Sequence, residues 1–118
     1  MTHTGGENAR SASREQMTSQ LRAARVLTGL LERGAREDLP ALEWTISHNG
    51  ARVTGRSYAQ PGSTRRAALA AWATALGIRL SEEYHRDSRI TTITGTAEPE
   101  RTRHMSATIT LTGDIWED

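Results

Sequence analysis

The strongest local constraint on this chain is the dipeptide Asn49-Gly50, which lies between two segments that alternate apolar and polar residues. Asn-Gly is the preferred pair of type I′ turns, which join two antiparallel strands through two residues. A hairpin closed on this turn has one register, with His48 opposite Ala51, Ile46 opposite Val53 and Trp44 opposite Gly55. The apolar residues then share one face, namely Leu42, Trp44, Ile46 and Val53, and the polar residues share the other, namely Glu43, Thr45, Ser47, Arg52, Thr54 and Arg56. We therefore expect a sheet with one buried face and one solvent-exposed face.

Length and composition exclude several classes of fold and of functional site. A length of 118 residues fits one domain, and the absence of Cys excludes disulfides, thiolate catalysis and Cys-ligated metals. All 15 basic residues are Arg, which excludes a Schiff-base Lys and is typical of a GC-rich, for instance actinobacterial, genome. The net charge is +1, from +4 over residues 1–66 (ten Arg, six acids) and −3 over residues 67–118 (five Arg, eight acids). With neither a membrane-spanning apolar run nor a signal-peptide core, we expect a cytoplasmic protein.

Two helices are predicted. Residues 1–12 lack an apolar period and are expected to form a disordered tail before a single domain of residues 13–118. Ser13 and Gln16 have the spacing of a capping box, and Gly34 offers a C-terminal stop. The first helix carries an apolar stripe that we expect to lie on the core: Met17, Leu21, Ala24, Leu27 and Leu31. Ser63 is the expected N-cap of a second helix over residues 64–76, which a Schellman motif at Gly77 and Ile78 would end.

The remaining segments read as strands. Residues 80–85 suit a short edge strand, and residues 89–97 and 103–116 are rich in Thr and β-branched residues. The element order α-β-β-α-β-β predicts an α+β fold of two layers, an antiparallel sheet of four or five strands covered on one face by both helices.

Six residues form a candidate anion or phosphate site. Four of them, Ser63, Thr64, Arg65 and Arg66, open the second helix, where free amide donors favour an anion and two Arg are otherwise unfavourable. Arg52 and Arg56 join them from the polar face of the hairpin. The alternative is that these Arg side chains extend into water and that Ser63 only caps. Tyr58 and Trp116, both at strand ends, are the aromatic residues that could reach the polar face and stack on a base.

Catalytic and metal-binding patterns are weak. Glu82, Glu83, His85 and Asp87 gather within six residues, but neighbouring strand residues point to opposite faces, so the two Glu side chains would not chelate together. A nucleophile elbow, an H-E-x-x-H motif and a P-loop are all missing from the sequence. We therefore assign no catalytic residue, no metal and no cofactor. An enzyme centred on His85 with Glu82 or Glu83 is a third hypothesis, which requires these groups to converge.

Three segments carry a resemblance: Leu39-Pro40-Ala41-Leu42-Glu43-Trp44-Thr45-Ile46, Val53-Thr54-Gly55-Arg56 and Ala70-Ala71-Trp72-Ala73-Thr74-Ala75-Leu76. Over residues 39–115 the chain resembles small uncharacterised proteins of streptomycetes and their mobile elements, in which an LP-x-x-x-W-T strand leads through a GR arm to an AW-x-x-AL helix. The matching residues are mainly those expected in the core. The resemblance therefore implies a shared fold and transfers no catalytic residue.

Two functions are compatible with these patterns. The first is a non-enzymatic protein-binding adaptor or regulatory domain, encoded by a phage or mobile element, whose partner is a protein and which forms a homodimer through its sheet. The alternative is a nucleic-acid-binding accessory protein that contacts phosphates through its Arg residues. Neither function involves a membrane.

Overall fold

The computed structural model describes residues 4–98 and 107–116. These residues form an α+β fold with seven elements: α1 (Thr4–Arg36), β1 (Glu43–Ile46), β2 (Arg52–Arg56), α2 (Gly62–Leu76), β3 (Ser81–His85), β4 (Ile90–Ala97) and β5 (Thr108–Trp116). The strands make one sheet in the order β1-β2-β5-β4-β3. Of the helices in these ranges, neither is long and apolar enough to cross a membrane.

The sheet is mixed, which corrects the prediction of a purely antiparallel one. Strand β2 runs parallel to β5, whereas β1 with β2, β3 with β4, and β4 with β5 are antiparallel. The cause is α2, which carries the chain back along the sheet, so that β3 starts in the same direction as β2. Strand β4 is antiparallel to β3, and β5 is antiparallel to β4, so β5 points in the same direction as β2. In the sheet, β5 lies in the centre, beside β2. The observed order is therefore α-β-β-α-β-β-β.

The β1–β2 hairpin has the predicted register, with Trp44 opposite Gly55 and Ile46 opposite Val53. The predicted type I′ turn is wrong. Ser47 and Arg52 close the loop, since the Ser47 amide donates to the Arg52 carbonyl over 2.9 Å, and Asn49 does not adopt the positive φ that a type I′ turn needs. The Asn49 side chain instead accepts a hydrogen bond from the Ala51 amide over 3.0 Å. His48 and Ala51 consequently lie in a four-residue loop and do not pair.

Gly50 explains why the loop takes this form. It has a φ of 70°, and a Cβ added to it would lie 2.3 Å from the backbone carbon of Ser19 in α1. Only glycine therefore allows the hairpin to touch the α1 backbone this closely. The Gln20 side-chain amide holds the same contact by donating to the His48 carbonyl over 2.6 Å.

The core lies between the sheet and the two helices. Its largest fully buried side chains are Trp72, Leu69, Ile93, Leu111 and Val53. The Trp72 indole donates to the Pro40 carbonyl over 2.6 Å and meets the Trp44 ring edge to face, with ring centres 5.2 Å apart. The predicted burial of these two indoles against the sheet is confirmed for Trp72, and Trp44 is half-buried.

Helix α1 differs from the prediction at both ends. It begins at Thr4, where the sequence predicted a cap at Ser13, and it ends at Arg36, where the sequence predicted a stop at Gly34. Gly34 is buried inside the helix against Trp72. The residue past the end with left-handed backbone is Asp38, with a φ of 56°, and the next amide, Leu39, donates back to the Gly34 carbonyl over 2.8 Å. The division into a tail and one domain stays a prediction.

The buried face of α1 is also not the predicted one. Ala23 and Leu30 are the buried apolar side chains of this helix, whereas Met17, Leu21 and Leu31 of the predicted core stripe are 65%, 53% and 51% exposed. The hairpin meets α1 at Ser19 and Gln20, which turns the helix so that the stripe faces outwards. Of the predicted stripe, Leu27 packs against the core and Ala24 is half-buried, whereas Met17, Leu21 and Leu31 are not covered by the described part of the chain.

Helix α2 begins before its predicted cap. The N-cap is Pro61, whose carbonyl accepts the Thr64 and Arg65 amides, and Ser63 lies inside the first turn without a capping hydrogen bond. The predicted C-terminal motif is confirmed, since Gly77 has a φ of 68° and the Ile78 amide donates to the Ala73 carbonyl over 2.8 Å.

The predicted strands are otherwise present. Strand β3 is the edge strand expected near residues 80–85, and β4 matches the segment 89–97. Strand β5 begins at Thr108, and the earlier part of the predicted strand over 103–116 lies outside the described residues.

Candidate functional site

The parallel pair β2 and β5 creates a site that no antiparallel sheet would have. Both strands end at the same edge of the sheet, β2 at Arg56 and β5 at Trp116. Because α2 follows β2, the N-terminal end of α2 lies at this edge as well. Carboxyl ends of parallel strands beside a helix N-terminus are where α/β sheets most often bind ligands, and free amides there favour anions.

Arg65 projects from the first turn of α2 towards this edge. Its aliphatic stem passes over Gly113, where an added Cβ would meet it at 3.6 Å, and one terminal nitrogen donates to the Asp114 carbonyl. The guanidinium lies 5.1 Å from the ring centre of Trp116. Arg65 is only 3% exposed, and its Nε is buried without a hydrogen-bond partner. Among the described residues it forms no ion pair.

Arg56 approaches the same edge from the other face of the sheet, opposite the two helices, which we call the open face. It donates to one Asp114 carboxylate oxygen over 2.7 Å, in an ion pair whose side chains are 35% and 26% exposed. Its guanidinium also lies 5.4 Å from the ring centre of Tyr58. Each of the two Arg side chains is thus placed against one aromatic ring.

Together these residues line two adjoining depressions, of about 200 Å³ and about 480 Å³, that share Gln60, Arg65 and Trp116. We call this region the Arg65 cleft and define it by Arg56, Tyr58, Gln60, Arg65, Asp114 and Trp116. Tyr58 and Trp116 are 57% and 56% exposed, so each ring keeps an area free for contact with a ligand. Among the described residues, the cleft holds two guanidinium groups and one carboxylate, an excess of one positive charge.

On the open face, two successive polar contacts connect Asp114 of the Arg65 cleft to His85 on the edge strand β3. The other Asp114 carboxylate oxygen accepts from the Thr92 hydroxyl over 2.9 Å, and Thr92 lies 3.1 Å from His85 Nε2. Because the Thr92 hydroxyl donates to Asp114, it is free to accept from His85. Asp114 is thereby held from both sides, by Arg56 and by Thr92.

The other predicted anion-site residues are placed differently. Ser63 and Arg66 line the larger depression beside Arg65, and Arg66 also forms an ion pair with Glu82 of β3. Thr64 is exposed. Arg52 is exposed at the opposite end of β2, four residues from Arg56, a distance of about 13 Å in a strand. The structure therefore brings Arg56 and Arg65 to the smaller depression and Ser63, Arg65 and Arg66 to the larger one; whether any of them binds an anion stays a prediction.

The carboxylates and imidazole of β3 do not converge either. Glu82 pairs with Arg66 on the helix side, whereas His85 contacts Thr92 on the open face. Within residues 4–98 and 107–116, no group of three or more His, Asp or Glu side chains is arranged to hold a metal.

Sequence reasoning did not place Asp114 in the anion site. Asp114 is the residue that joins Arg56 to Arg65, yet its only sequence signal is an acidic residue on the polar face of a Thr-rich strand. Tyr58 and Trp116 were identified as residues that reach the polar face, and the parallel pairing of β2 with β5 explains why they meet.

Comparison with protein-family models, with curated proteins and with solved structures found no match to this chain.

Proposed function

We propose that this chain is a non-enzymatic accessory protein that binds single-stranded nucleic acid at the Arg65 cleft. In this proposal Arg56 and Arg65 contact the phosphates, and a base stacks on Trp116 or Tyr58. The single observation that carries the proposal is the convergence of two Arg and two half-exposed aromatic side chains at one edge of the sheet.

The state of Arg65 supports a phosphate ligand. Among the residues that the structure describes, the buried Arg65 guanidinium has no carboxylate partner and its Nε is unsatisfied, which is costly, and a bound anion would offset that cost. Arg56 gives one nitrogen to Asp114 and keeps further N–H donors, so it can contact a phosphate without losing its ion pair.

The open face supports an extended ligand. Beyond Arg56, strands β1, β2, β4 and β5 present a surface of hydroxyl groups: Thr45, Thr54, Thr92, Thr94, Thr96, Thr108, Thr110 and Thr112. Hydroxyl groups and Arg side chains make most contacts to the sugar-phosphate backbone, and aromatic rings stack on any base. A single strand lying across this face with one base at the Arg65 cleft uses both features.

The protein-binding adaptor remains a second candidate, because one observation favours it. Met17, Leu21 and Leu31 of α1 are exposed apolar side chains on one helix face, which is typical of a protein interface. The structure gives less support to a homodimer through the sheet, since the open face is polar.

Fluorescence anisotropy with a labelled oligo(dT) of about a dozen nucleotides, titrated at several salt concentrations, tests the proposal. Two phosphate contacts predict a slope of log affinity against log salt of about −1.4. Arg56→Ala is expected to lower the affinity and to reduce the slope by about 0.7. Trp116→Ala is expected to lower the affinity by a factor of about 5 to 100 with little change in slope, since it removes the stacking surface and the ring beside Arg65 but no charge.

Arg79→Ala is the matched control. Arg79 is exposed beyond the C-terminal end of α2, opposite to the end that carries Arg65, so its loss changes the net charge equally without touching the cleft. If Arg79→Ala weakens binding as much as Arg56→Ala, or if wild-type protein shows no salt-sensitive binding, the proposal is wrong.

A further inference from the structure

The exposed side of α1 carries an apolar stripe with a coiled-coil spacing. Successive members are four and three residues apart, and we call them the α1 seam: Met17, Leu21, Ala24, Thr28, Leu31 and Ala35. Met17, Leu21 and Leu31 are half-exposed or more, and the Thr28 hydroxyl is satisfied by the Ala24 carbonyl of its own helix over 2.9 Å. A seven-residue repeat of this kind is the pattern by which one helix packs against another.

The α1 seam is separate from the face that α1 turns to its own sheet. That inner face contributes Ala23, Leu30 and Gly34, about a third of a turn round the helix from the seam. The second described helix, α2, cannot cover the seam, because its own apolar side chains Leu69 and Trp72 are fully buried against the sheet. Any helix that covers the seam therefore comes from outside the described part of the chain.

We infer that the α1 seam binds a second copy of this chain, as an antiparallel pair of α1 helices related by a two-fold axis. Such an axis brings each seam position against a complementary one: Leu21 against Leu31, Met17 against Ala35 and Ala24 against Thr28 of the other copy. Large residues thus meet small ones at both ends of the seam and Leu meets Leu between them, so one stripe is complementary to itself.

Charges at the ends of the seam fit the same arrangement. Arg14 continues the repeat towards the N-terminus, and in the antiparallel register it lies opposite the C-terminal end of the other copy's α1, next to the turn that carries Asp38; both side chains are exposed. Antiparallel helices also place opposite ends of their dipoles together. Arg25 flanks the middle of the seam and lies near Arg25 of the other copy, which is the one repulsive contact that the register predicts.

The size of the surface indicates a reversible dimer. From Met17 to Ala35 the seam is about 27 Å long at about 1.5 Å per residue. Between α1 and β1, Met17, Leu21, Ala24 and Ile46 also line a groove of about 530 Å³, which side chains of the partner helix would enter. Two helices that pack along a seam of about 27 Å form a small interface, so we expect dissociation constants on the order of micromolar.

Sedimentation equilibrium of the full chain from about 1 to 100 μM tests the inference. A monomer–dimer equilibrium is expected, and Leu21→Glu should raise its dissociation constant at least about tenfold, because it buries a carboxylate in each half of the seam. Arg25→Gln should lower the constant, since it removes the central repulsion. The control is Gly29→Glu, which adds the same charge on the same helix where a side chain meets nothing within 4 Å.

Cysteine cross-linking tests the register, because the chain has no Cys of its own. Under mild oxidation a mixture of Leu21→Cys and Leu31→Cys chains should form a cross-linked dimer, whereas each variant alone should not. Circular dichroism of every variant checks that the helix is retained. A chain that stays monomeric at 100 μM, a dimer that Leu21→Glu leaves intact, as one through the sheet would be, or efficient cross-linking of Leu21→Cys with itself would each overturn the inference.

Discussion

Replacing Arg65 with Met separates a structural role of this side chain from a role in ligand binding. Met keeps an unbranched apolar stem over Gly113 and removes the guanidinium. The variant loses the hydrogen bond to the Asp114 carbonyl, worth about 2 kcal/mol for a charged donor, and the contact with Trp116, worth about 1 kcal/mol.

The same change removes two costs. The Nε that is buried without a partner costs about 1 to 3 kcal/mol, and a guanidinium that is 3% exposed and not paired with a carboxylate adds a desolvation penalty of similar size. Gains and losses nearly cancel. We expect Arg65→Met to change the free energy of unfolding by no more than about 1 kcal/mol, or by a few degrees in Tm for a domain of this size.

Urea unfolding followed by Trp fluorescence measures this change, because Trp72 is buried in the folded state. Adding phosphate completes the test: at 100 times its dissociation constant, a ligand of the folded state stabilises by about 2.7 kcal/mol. Wild-type protein should gain stability with phosphate, and Arg65→Met should gain only the general salt effect.

Arg33→Met is the matched control, since Arg33 lies on α1 away from the cleft and its ion pair with Glu37 is exposed at 37% and 39% of the two side chains. Such a pair contributes about 0 to 1 kcal/mol, and Arg33→Met should keep the response to phosphate. A loss of about 3 kcal/mol or more in Arg65→Met, with no difference in phosphate response, would show that Arg65 holds the fold together and is not kept for a ligand.

Two further substitutions check the backbone features of the fold. Gly50→Ala should lower the free energy of unfolding by about 3 kcal/mol or more, because it adds left-handed strain and brings a Cβ to 2.3 Å from the Ser19 backbone; a loss below about 1 kcal/mol in urea unfolding would contradict this packing. Ser63→Ala should leave stability within about 0.5 kcal/mol in the same assay, because Pro61 and not Ser63 is the N-cap; a loss of about 1 kcal/mol or more would place the cap where the sequence predicted it.

The hairpin could be predicted because its determinants are local. Alternation of apolar and polar residues defines which side of each strand is buried, and the register of Ile46 with Val53 follows from it. The turn type was wrong for a reason that is not local: Gly50 touches the backbone of α1, and that contact selects a loop in which only Gly50 has positive φ. Asn-Gly therefore marked the position of the reversal without defining its geometry.

The order of the strands could not be derived from the sequence. Every strand was located at least in part, yet nothing in residues 52–56 indicates that they pair in parallel with residues 108–112. Strand pairing of this kind depends on how α2 returns the chain and on which strand fits the centre of the sheet. The Arg65 cleft could not be derived from the sequence for the same reason. Arg65 and Asp114 are 49 residues apart and meet only because β2 pairs with β5.

Among the described residues, two features depart from the usual rules of packing, and both lie where we propose binding. A buried Arg without a carboxylate partner and an exposed heptad of apolar residues both reduce the stability or solubility of an isolated domain. Elsewhere local pattern and tertiary packing agree: the alternating strands bury their apolar face, and Gly77 ends α2 with the expected hydrogen bonds. Conflicts between local sequence pattern and packing are expected where function outweighs stability. In both cases here, one defined binding partner would remove the conflict. An anion satisfies Arg65, and a second helix covers the α1 seam.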